Sequence, residues 1–113
     1  MKLTYLAHPV GLDIERTLNL ERVRRWFRWA LDEYPDSAIV VPWLVYVQNL
    51  AETPENRTRG IRDDLAVLSR CDAILLVGGW LSPGMGEELD LARRLGLEVF
   101  NRIDMGNEPP EVG

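Results

Sequence analysis

Short apolar segments alternate along this chain with longer segments in which apolar and polar residues are mixed. The short segments predict buried β-strands, because they are apolar throughout and too brief for helices. In the longer segments apolar residues recur every three or four positions, which predicts amphipathic helices. The predicted strands are 3–7, 37–41, 72–77 and 97–100, and the predicted helices are roughly 14–34, 57–70 and 83–95.

Strands that alternate with helices indicate an α/β fold. We expect a single doubly wound (Rossmann/flavodoxin-like) domain with a mainly parallel sheet of four to five strands and right-handed crossovers. Residues 44–50 fit either a helical turn or an extended segment, and residues 51–56 read as a loop. The domain should cover residues 1–105, and the tail at 106–113, rich in Pro and Gly, is expected to be mobile.

Ligands of such sheets bind beyond the carboxyl ends of the strands. In this sequence those ends fall at His8, at Pro42 and Trp43, at residues 78–82 and at Asn101. The third of these positions carries the most unusual pattern. Ser82 fits a helix N-cap and Pro83 the first helical position, but Gly84 and Gly86 then follow in the first turn, where each glycine costs about 1 kcal/mol relative to alanine. We therefore expect a ligand to approach that backbone.

Two carboxylates fall on predicted inward helix faces. Glu88 shares its face with Met85 and Leu89, and Asp64 lies within the apolar stripe of the preceding helix. A buried carboxylate needs either a partner or a chemical role, and burial raises its pKa. Both are candidates for chemistry on a small ligand. The alternatives are a position of Glu88 at the rim of the domain and a capping or salt-bridge role for Asp64.

Composition narrows the class of partner. The net charge of −5 gives no electrostatic reason to bind a nucleic-acid polymer. No apolar run approaches the roughly 20 residues of a membrane span, and no signal peptide is recognisable, so we expect a cytoplasmic protein without a membrane partner. The lone Cys71 and the lack of a cysteine and histidine cluster argue against a structural metal, and no cofactor is expected.

The candidate residues match one known sequence pattern, whose spacing is kept without a gap from Asp64 through Glu88. It begins with a tyrosine in the first strand and an aspartate eight residues before the acid that opens the third strand, and it ends with a serine, two glycines and a glutamate. The matching residues are Tyr5, Asp64, Asp72, Ser82, Gly84, Gly86 and Glu88. This pattern resembles the nucleoside 2-deoxyribosyltransferase superfamily, and within it most nearly the 2'-deoxynucleoside 5'-phosphate N-hydrolases.

The resemblance implies a division of roles among three catalytic residues. Glu88 would attack the anomeric carbon of the sugar and displace the base, Asp64 would act at the leaving base, and Tyr5 would orient Glu88. Two carboxylates at short range suit a retaining double displacement through a glycosyl-enzyme intermediate. Water would then release the sugar, whereas a second base in its place would make the enzyme a transferase.

The resemblance also bears on the substrate, a small-molecule nucleotide or nucleoside. Transferases that use nucleosides have a carboxylate six residues before the nucleophile, whereas the nucleotide hydrolases have serine, as here at Ser82. That implies a 5'-monophosphate bound beside the helix N-terminus. The arginine that the hydrolases carry after the first strand is missing here, and His8 either contacts the phosphate in its place or is simply hydrogen-bonded. The expected substrate-binding residues are Ser82, Gly84, Met85, Gly86, His8 and Trp43.

Tryptophans remain open to two interpretations. Trp43 and Trp80 either stack on a base or serve in ordinary packing or a subunit contact. Because members of the superfamily share sites between subunits, a homodimer is implied, with Asn101 or Met105 reaching the neighbour. Trp26 and Trp29 either belong to that interface or pack inside the monomer.

Two other functions fit parts of the pattern. One is a non-catalytic module of the same fold that senses or sequesters a nucleotide. The other is a phosphoribohydrolase similar to those that process cytokinin nucleotides, but their motif Pro-Gly-Gly-x-Gly-Thr is matched less well, since Gly86 is followed by Glu87. The dinucleotide fingerprint is not met, because its third glycine is missing and the glycines follow the third strand rather than the first.

Overall fold

Four parallel strands form the centre of the molecule in a computed structural model that describes residues 1–111. The strands lie in the order β2-β1-β3-β4. Each neighbouring pair is parallel, and the register places Tyr5 beside both Val40 and Ile74. The strands are β1 (Lys2–Ala7), β2 (Ser37–Val40), β3 (Ala73–Leu76) and β4 (Glu98–Asn101).

Helices connect the strands and cover the sheet. Within residues 1–111 they are α1 (Asp13–Glu33), α2 (Pro42–Asn49), α3 (Pro54–Leu68) and α4 (Pro83–Arg94), with a short 3-10 turn at Ile103–Met105. The crossover from β1 to β2 runs in one direction across the sheet, and those from β2 to β3 and from β3 to β4 run in the other. Because such crossovers are right-handed, α1 covers one face of the sheet and α3 and α4 cover the other. The predicted doubly wound, Rossmann-like α/β domain is confirmed. None of these helices has both the length and the apolar character needed to cross a bilayer.

The core forms around the two central strands. All of β3 is buried, as is β1 from Thr4 onward. Trp26 is completely buried, and Trp29 packs edge-on against it with 5.3 Å between ring centroids. These two tryptophans pack inside the monomer, so the interface interpretation for them is wrong. Strand β2 is only half buried, contrary to the prediction of a buried strand, because it forms an edge of the sheet.

Two helix boundaries differ from the sequence prediction. The segment that fitted either a helical turn or an extended wall is the helix α2, which begins at Pro42. Helix α3 begins at Pro54 rather than Arg57, because Thr53 caps it: the Thr53 hydroxyl accepts a hydrogen bond from the Asn56 amide at 3.1 Å. Both differences bring additional helical side chains to the carboxyl edge of the sheet.

The first residues of the tail are attached to the domain. The indole N–H of Trp26 donates to the Asn107 carbonyl at 2.9 Å, and Glu108 pairs with Arg25 at 2.6 Å. The Asn107 side chain also fills the space beside Gly79, whose φ is +91°. The prediction of a mobile tail therefore does not hold at residues 107 and 108. Residues 112 and 113 of that tail lie outside the described residues.

Candidate active site

A cleft of about 370 Å³ opens at the carboxyl edge of the sheet. It lies between β1 and β3, the point in the sheet from which the strand connections lead away in opposite directions. Ligands of open α/β sheets bind at such a switch point. Its walls come from α2, α3, the loop after β1 and the first turns of α4. The volume suits a small molecule.

The cleft brings the two predicted carboxylates together. Asp64 on α3 and Glu88 on α4 both line it, and α3 packs against α4. Neither carboxylate forms a salt bridge with a cation in residues 1–111. Asp64 Oδ1 is buried and has no hydrogen-bond partner in the same residues. The alternatives of a salt-bridged Asp64 and a solvated Glu88 are thus not what the structure contains.

Both carboxylates are held partly protonated at neutral pH. Burial raises the pKa of Glu88 to about 7, and the Asp64 charge adds to that shift. Burial likewise raises the pKa of Asp64 to about 7, with a smaller contribution from the charge of Asp63. Because the charge of Asp64 disfavours ionisation of Glu88, the two acids titrate as a coupled pair near pH 7. Acids tuned in this way can act in proton transfer and nucleophilic attack.

Tyr5 lies under this pair in the central strand β1. Its side chain is completely buried and does not line the cleft. Polar contact with the Tyr5 hydroxyl lowers the pKa of Glu88 and offsets part of the burial effect, although the hydroxyl makes no hydrogen bond of full geometry within residues 1–111. Burial and the nearby charge of Glu88 raise the pKa of Tyr5 well above its usual range. Tyr5 is therefore a permanent proton donor next to Glu88.

The first turn of α4 is capped as the sequence predicts. The Ser82 hydroxyl accepts a hydrogen bond from the Met85 amide at 3.3 Å, and the Ser82 carbonyl accepts one from the Gly86 amide at 2.9 Å. Pro83 has no N–H. Within the described residues, the Gly84 amide is therefore the one backbone donor of this turn that is left for a ligand.

The two glycines of that turn are placed differently. A Cβ atom at either Gly84 or Gly86 would meet no other atom within 4 Å. Gly84 lines the cleft together with Ser82 and Met85, whereas Gly86 does not. The open space at Gly84 allows a ligand to approach the backbone closely. Gly86 lies outside the cleft and could not contact a ligand bound there.

His8 lines the cleft as a neutral side chain. It is 4% exposed, and its Nδ1 donates a hydrogen bond to the Pro9 carbonyl at 2.6 Å. Burial lowers the pKa of His8 to about 4, so the ring carries one proton, on Nδ1, and a lone pair on Nε2. Nε2 has no partner in residues 1–111. Gly78, with φ +106°, leaves room for the ring, since a Cβ there would lie 2.9 Å from Nε2.

Three aromatic side chains line the cleft. Trp43 is 6% exposed and donates its indole N–H to the Leu6 carbonyl at 2.9 Å, which indicates a packing role with one surface at the cleft. Trp80 is 49% exposed at the cleft. Tyr46 donates its hydroxyl to Asp63 at 2.7 Å. An aromatic base would find flat, apolar surface here.

A model of the family described as a domain of unknown function (DUF7768) matches residues 2–102. The chain belongs to this family. No curated protein matches the sequence. The match covers the whole sheet and every residue of the cleft described above.

Some residues of this DUF7768 cleft were missed by the sequence analysis. Tyr46 lies one helical turn after Trp43, a spacing that would have placed both on one face had α2 been assigned as a helix. Arg57 and Glu52 also line the cleft and pair at 3.2 Å, and Glu52 pairs as well with Arg16 at 3.1 Å. No local signal marks these ion pairs. In residues 1–111 no three histidine, cysteine, aspartate or glutamate side chains are grouped as metal ligands.

Proposed function

We propose that the protein is an N-glycosidase that cleaves the bond between base and sugar in a nucleoside or a nucleoside 5'-monophosphate. The observation that carries the proposal is the placement of Glu88 and Asp64, from different helices, in one cleft where both have a pKa of about 7. The resemblance to the nucleoside 2-deoxyribosyltransferase superfamily supports the same assignment, because Asp64 and Glu88 line this cleft and Tyr5 lies beneath it next to Glu88.

The proposed reaction proceeds in two displacements. The ionised Glu88 carboxylate attacks the anomeric carbon, and the electron pair of the carbon–nitrogen bond leaves with the base. Asp64, in its protonated form, donates its proton to the departing base. A glycosyl ester of Glu88 remains, and Asp64, having given up its proton, is then ionised.

Water completes the reaction. Its oxygen bonds to the anomeric carbon as the ester bond breaks, and its proton passes to Asp64, which returns the pair to its starting state. The Tyr5 hydroxyl, buried and always protonated, supports the Glu88 carboxylate from the strand side. A second base in place of water would give the transfer reaction instead.

The base would lie along the α2 wall of the cleft. Trp43 and Tyr46 supply aromatic surface there, and Trp80 is exposed on the opposite side near the start of α4. The sugar would then lie against Gly84, where no side chain fills the space.

The proposal also includes a cytoplasmic homodimer, which light scattering and cell fractionation can test directly.

A screen for base release tests the catalytic proposal. Nucleosides and their 5'-monophosphates are incubated with wild type, with Glu88→Gln and with Asp90→Asn, a control that makes the same charge change at an exposed position of α4. Base release should occur with wild type and Asp90→Asn and be lost with Glu88→Gln. Tight binding without turnover, unchanged in Glu88→Gln, would contradict catalysis and support the non-catalytic nucleotide-binding module.

A further inference from the structure

Several side-chain donors around the cleft already bond within the protein. Four of them already bond within the chain at 2.7 to 3.2 Å. They are the indole N–H of Trp43, the hydroxyl of Tyr46, the amide of Asn56 and the guanidinium of Arg57. The donors of Trp43 and Tyr46 are thereby used up, whereas Asn56 and Arg57 keep further N–H groups.

Several hydrogen-bond acceptors of the cleft have no partner within the described residues. His8, 4% exposed, has an unpartnered Nε2 lone pair, and Asp64 has an unpartnered Oδ1, both within residues 1–111. The carboxylates of Glu87 and Glu88 also line the cleft without an ion pair in these residues. Because the proton of His8 is on Nδ1, bonded to the Pro9 carbonyl, His8 offers an incoming group a lone pair and no positive charge.

The distribution of charge points the same way. Arg57 is the one cation among the described lining residues, and it pairs with Glu52. At the α4 end of the cleft, Asp64, Glu87 and Glu88 have no ion pair within residues 1–111, and in the same residues one backbone amide of the first turn, that of Gly84, is available to a ligand. A phosphate there would meet carboxylates, whereas a cation would be attracted to them and to the faces of the aromatic side chains.

We infer that the cleft selects N-glycosides whose base carries a positive charge, such as pyridinium or N-alkylated purinium nucleosides, and disfavours nucleoside 5'-monophosphates. The inference rests on the proposed function and names the substrate class for the same site. It reverses the phosphate preference that Ser82 implies in the sequence, because Arg57, the one cation among the described lining residues, pairs with Glu52.

A cationic base also changes what the carboxylates must do. When Glu88 attacks the anomeric carbon, the bond electrons pass to the charged ring nitrogen, and the base leaves as a neutral molecule without needing a proton. Water then attacks the glycosyl ester, Glu88 departs as a carboxylate, and Asp64 takes the proton of the water and passes it to solvent. The balance is nucleoside cation plus water giving sugar, neutral base and one proton.

Binding of two matched probes tests this selection without any bond cleavage. 1-Methylnicotinamide is a permanent cation, nicotinamide has nearly the same shape without the charge, and neither contains a glycosidic bond. Isothermal titration of the full chain at low salt should show the cation binding about tenfold more tightly. The advantage should shrink as salt is raised, since ions screen the exposed Glu87. Equal affinity for the two probes at low salt would overturn the inference.

Variants and a substrate pair complete the test. Glu87→Gln should weaken binding of the cation about threefold and leave nicotinamide unchanged, whereas the matched control Asp90→Asn should change neither. Base release from nicotinamide riboside should exceed that from nicotinamide mononucleotide, its 5'-monophosphate, by about tenfold in kcat/KM. A faster monophosphate would contradict the inference.

The two proposals fail separately. Cation selection without base release from any nucleoside would refute the glycosidase and leave the charge selection standing. Base release from uncharged nucleosides, lost in Glu88→Gln and accompanied by equal binding of the two probes, would support the glycosidase and refute the selection.

Discussion

Asp64 and Glu88 come from separate helices, and the negative charge of Asp64 raises the pKa of Glu88. Strand β3 lies between α3 and α4 in the sequence, and the two helices pack against each other on the same face of the sheet. The two acids can therefore influence one another. Both side chains line the cleft in which the proposed chemistry takes place. The predictions below depend on this coupling or on the backbone that frames it.

The first prediction concerns the pH dependence of base release from an uncharged nucleoside. Glu88 must be ionised and Asp64 protonated, and both have a pKa of about 7. Plots of kcat/KM against pH should therefore be bell-shaped with a maximum near pH 7. With a pyridinium nucleoside the alkaline limb should flatten, since that base leaves without a proton. A profile that is flat from pH 5 to 9 for the uncharged substrate would contradict the assigned roles.

The second prediction concerns folding stability. The pKa of Glu88 is raised from 4.5 to about 7 in the folded protein, so the folded state favours the protonated form. The corresponding stabilisation is complete below pH 4.5 and is lost as pH rises through 7. Glu88→Gln should therefore become more stable relative to wild type between pH 5 and 8, by on the order of 1–2 kcal/mol.

Chemical denaturation of both proteins across that pH range measures the difference. The comparison at each pH matters because His8 acts in the opposite direction: its lowered pKa makes stability rise from about pH 4 to 6.5 in both proteins. A difference between variant and wild type that does not change with pH would show that Glu88 is solvated in the folded state.

The third prediction separates the two glycines at the start of α4. Alanine at Gly84 or at Gly86 meets no atom within 4 Å and should raise the free energy of unfolding by about 0.5–1 kcal/mol, since alanine favours helix. Only Gly84 lines the cleft. Gly84→Ala should therefore weaken ligand binding while Gly86→Ala, the matched control, leaves it unchanged. Equal binding by both variants would place the ligand away from α4.

The fourth prediction concerns Gly78 and the room it leaves for His8. A Cβ at Gly78 would lie 2.6 Å from the Pro9 ring and 2.8 Å from His8 Cδ2, and φ is +106°. Gly78→Ala should lower the free energy of unfolding by about 2 kcal/mol or more. Gly96→Ala is the control, because its φ is also positive, at +73°, but no atom lies within 4 Å. It should cost only about 1 kcal/mol. Equal losses would mean that the His8 ring moves away freely.

Much of the fold could be predicted from local patterns. The strands are apolar runs and the long helices have regular apolar spacing. The alternation of strands and helices along the chain, and from it the parallel sheet, could therefore be inferred from general rules. The same patterns placed Asp64 and Glu88 on inward faces. Their common cleft could be expected from the switch-point rule and from the family resemblance, not from the local patterns. The raised pKa values depend on burial by the assembled fold.

Other features depended on contacts that local sequence does not encode. Helix α2 is short and almost wholly apolar, so its periodicity could not distinguish a helix from a strand. The tail looked mobile by composition, but its attachment comes from Trp26 and Arg25, more than 80 residues away in the sequence. For His8 the sequence left open a phosphate contact or a simple hydrogen bond, and the tautomer is fixed by the bond from Nδ1 to the Pro9 carbonyl.

The attachment of the tail affects how shortened versions of this gene product would behave. The Asn107 side chain packs against Gly79, the residue before Trp80 at the cleft. The Asn107 carbonyl accepts a hydrogen bond from the indole N–H of the fully buried Trp26. A chain cut after Met105 would leave that donor without its acceptor and would free the loop that carries Trp80. Expression boundaries chosen by homology to residues 2–102 alone would thus yield a domain with a loosened cleft wall, and ligand assays should use chains that extend at least to Glu108.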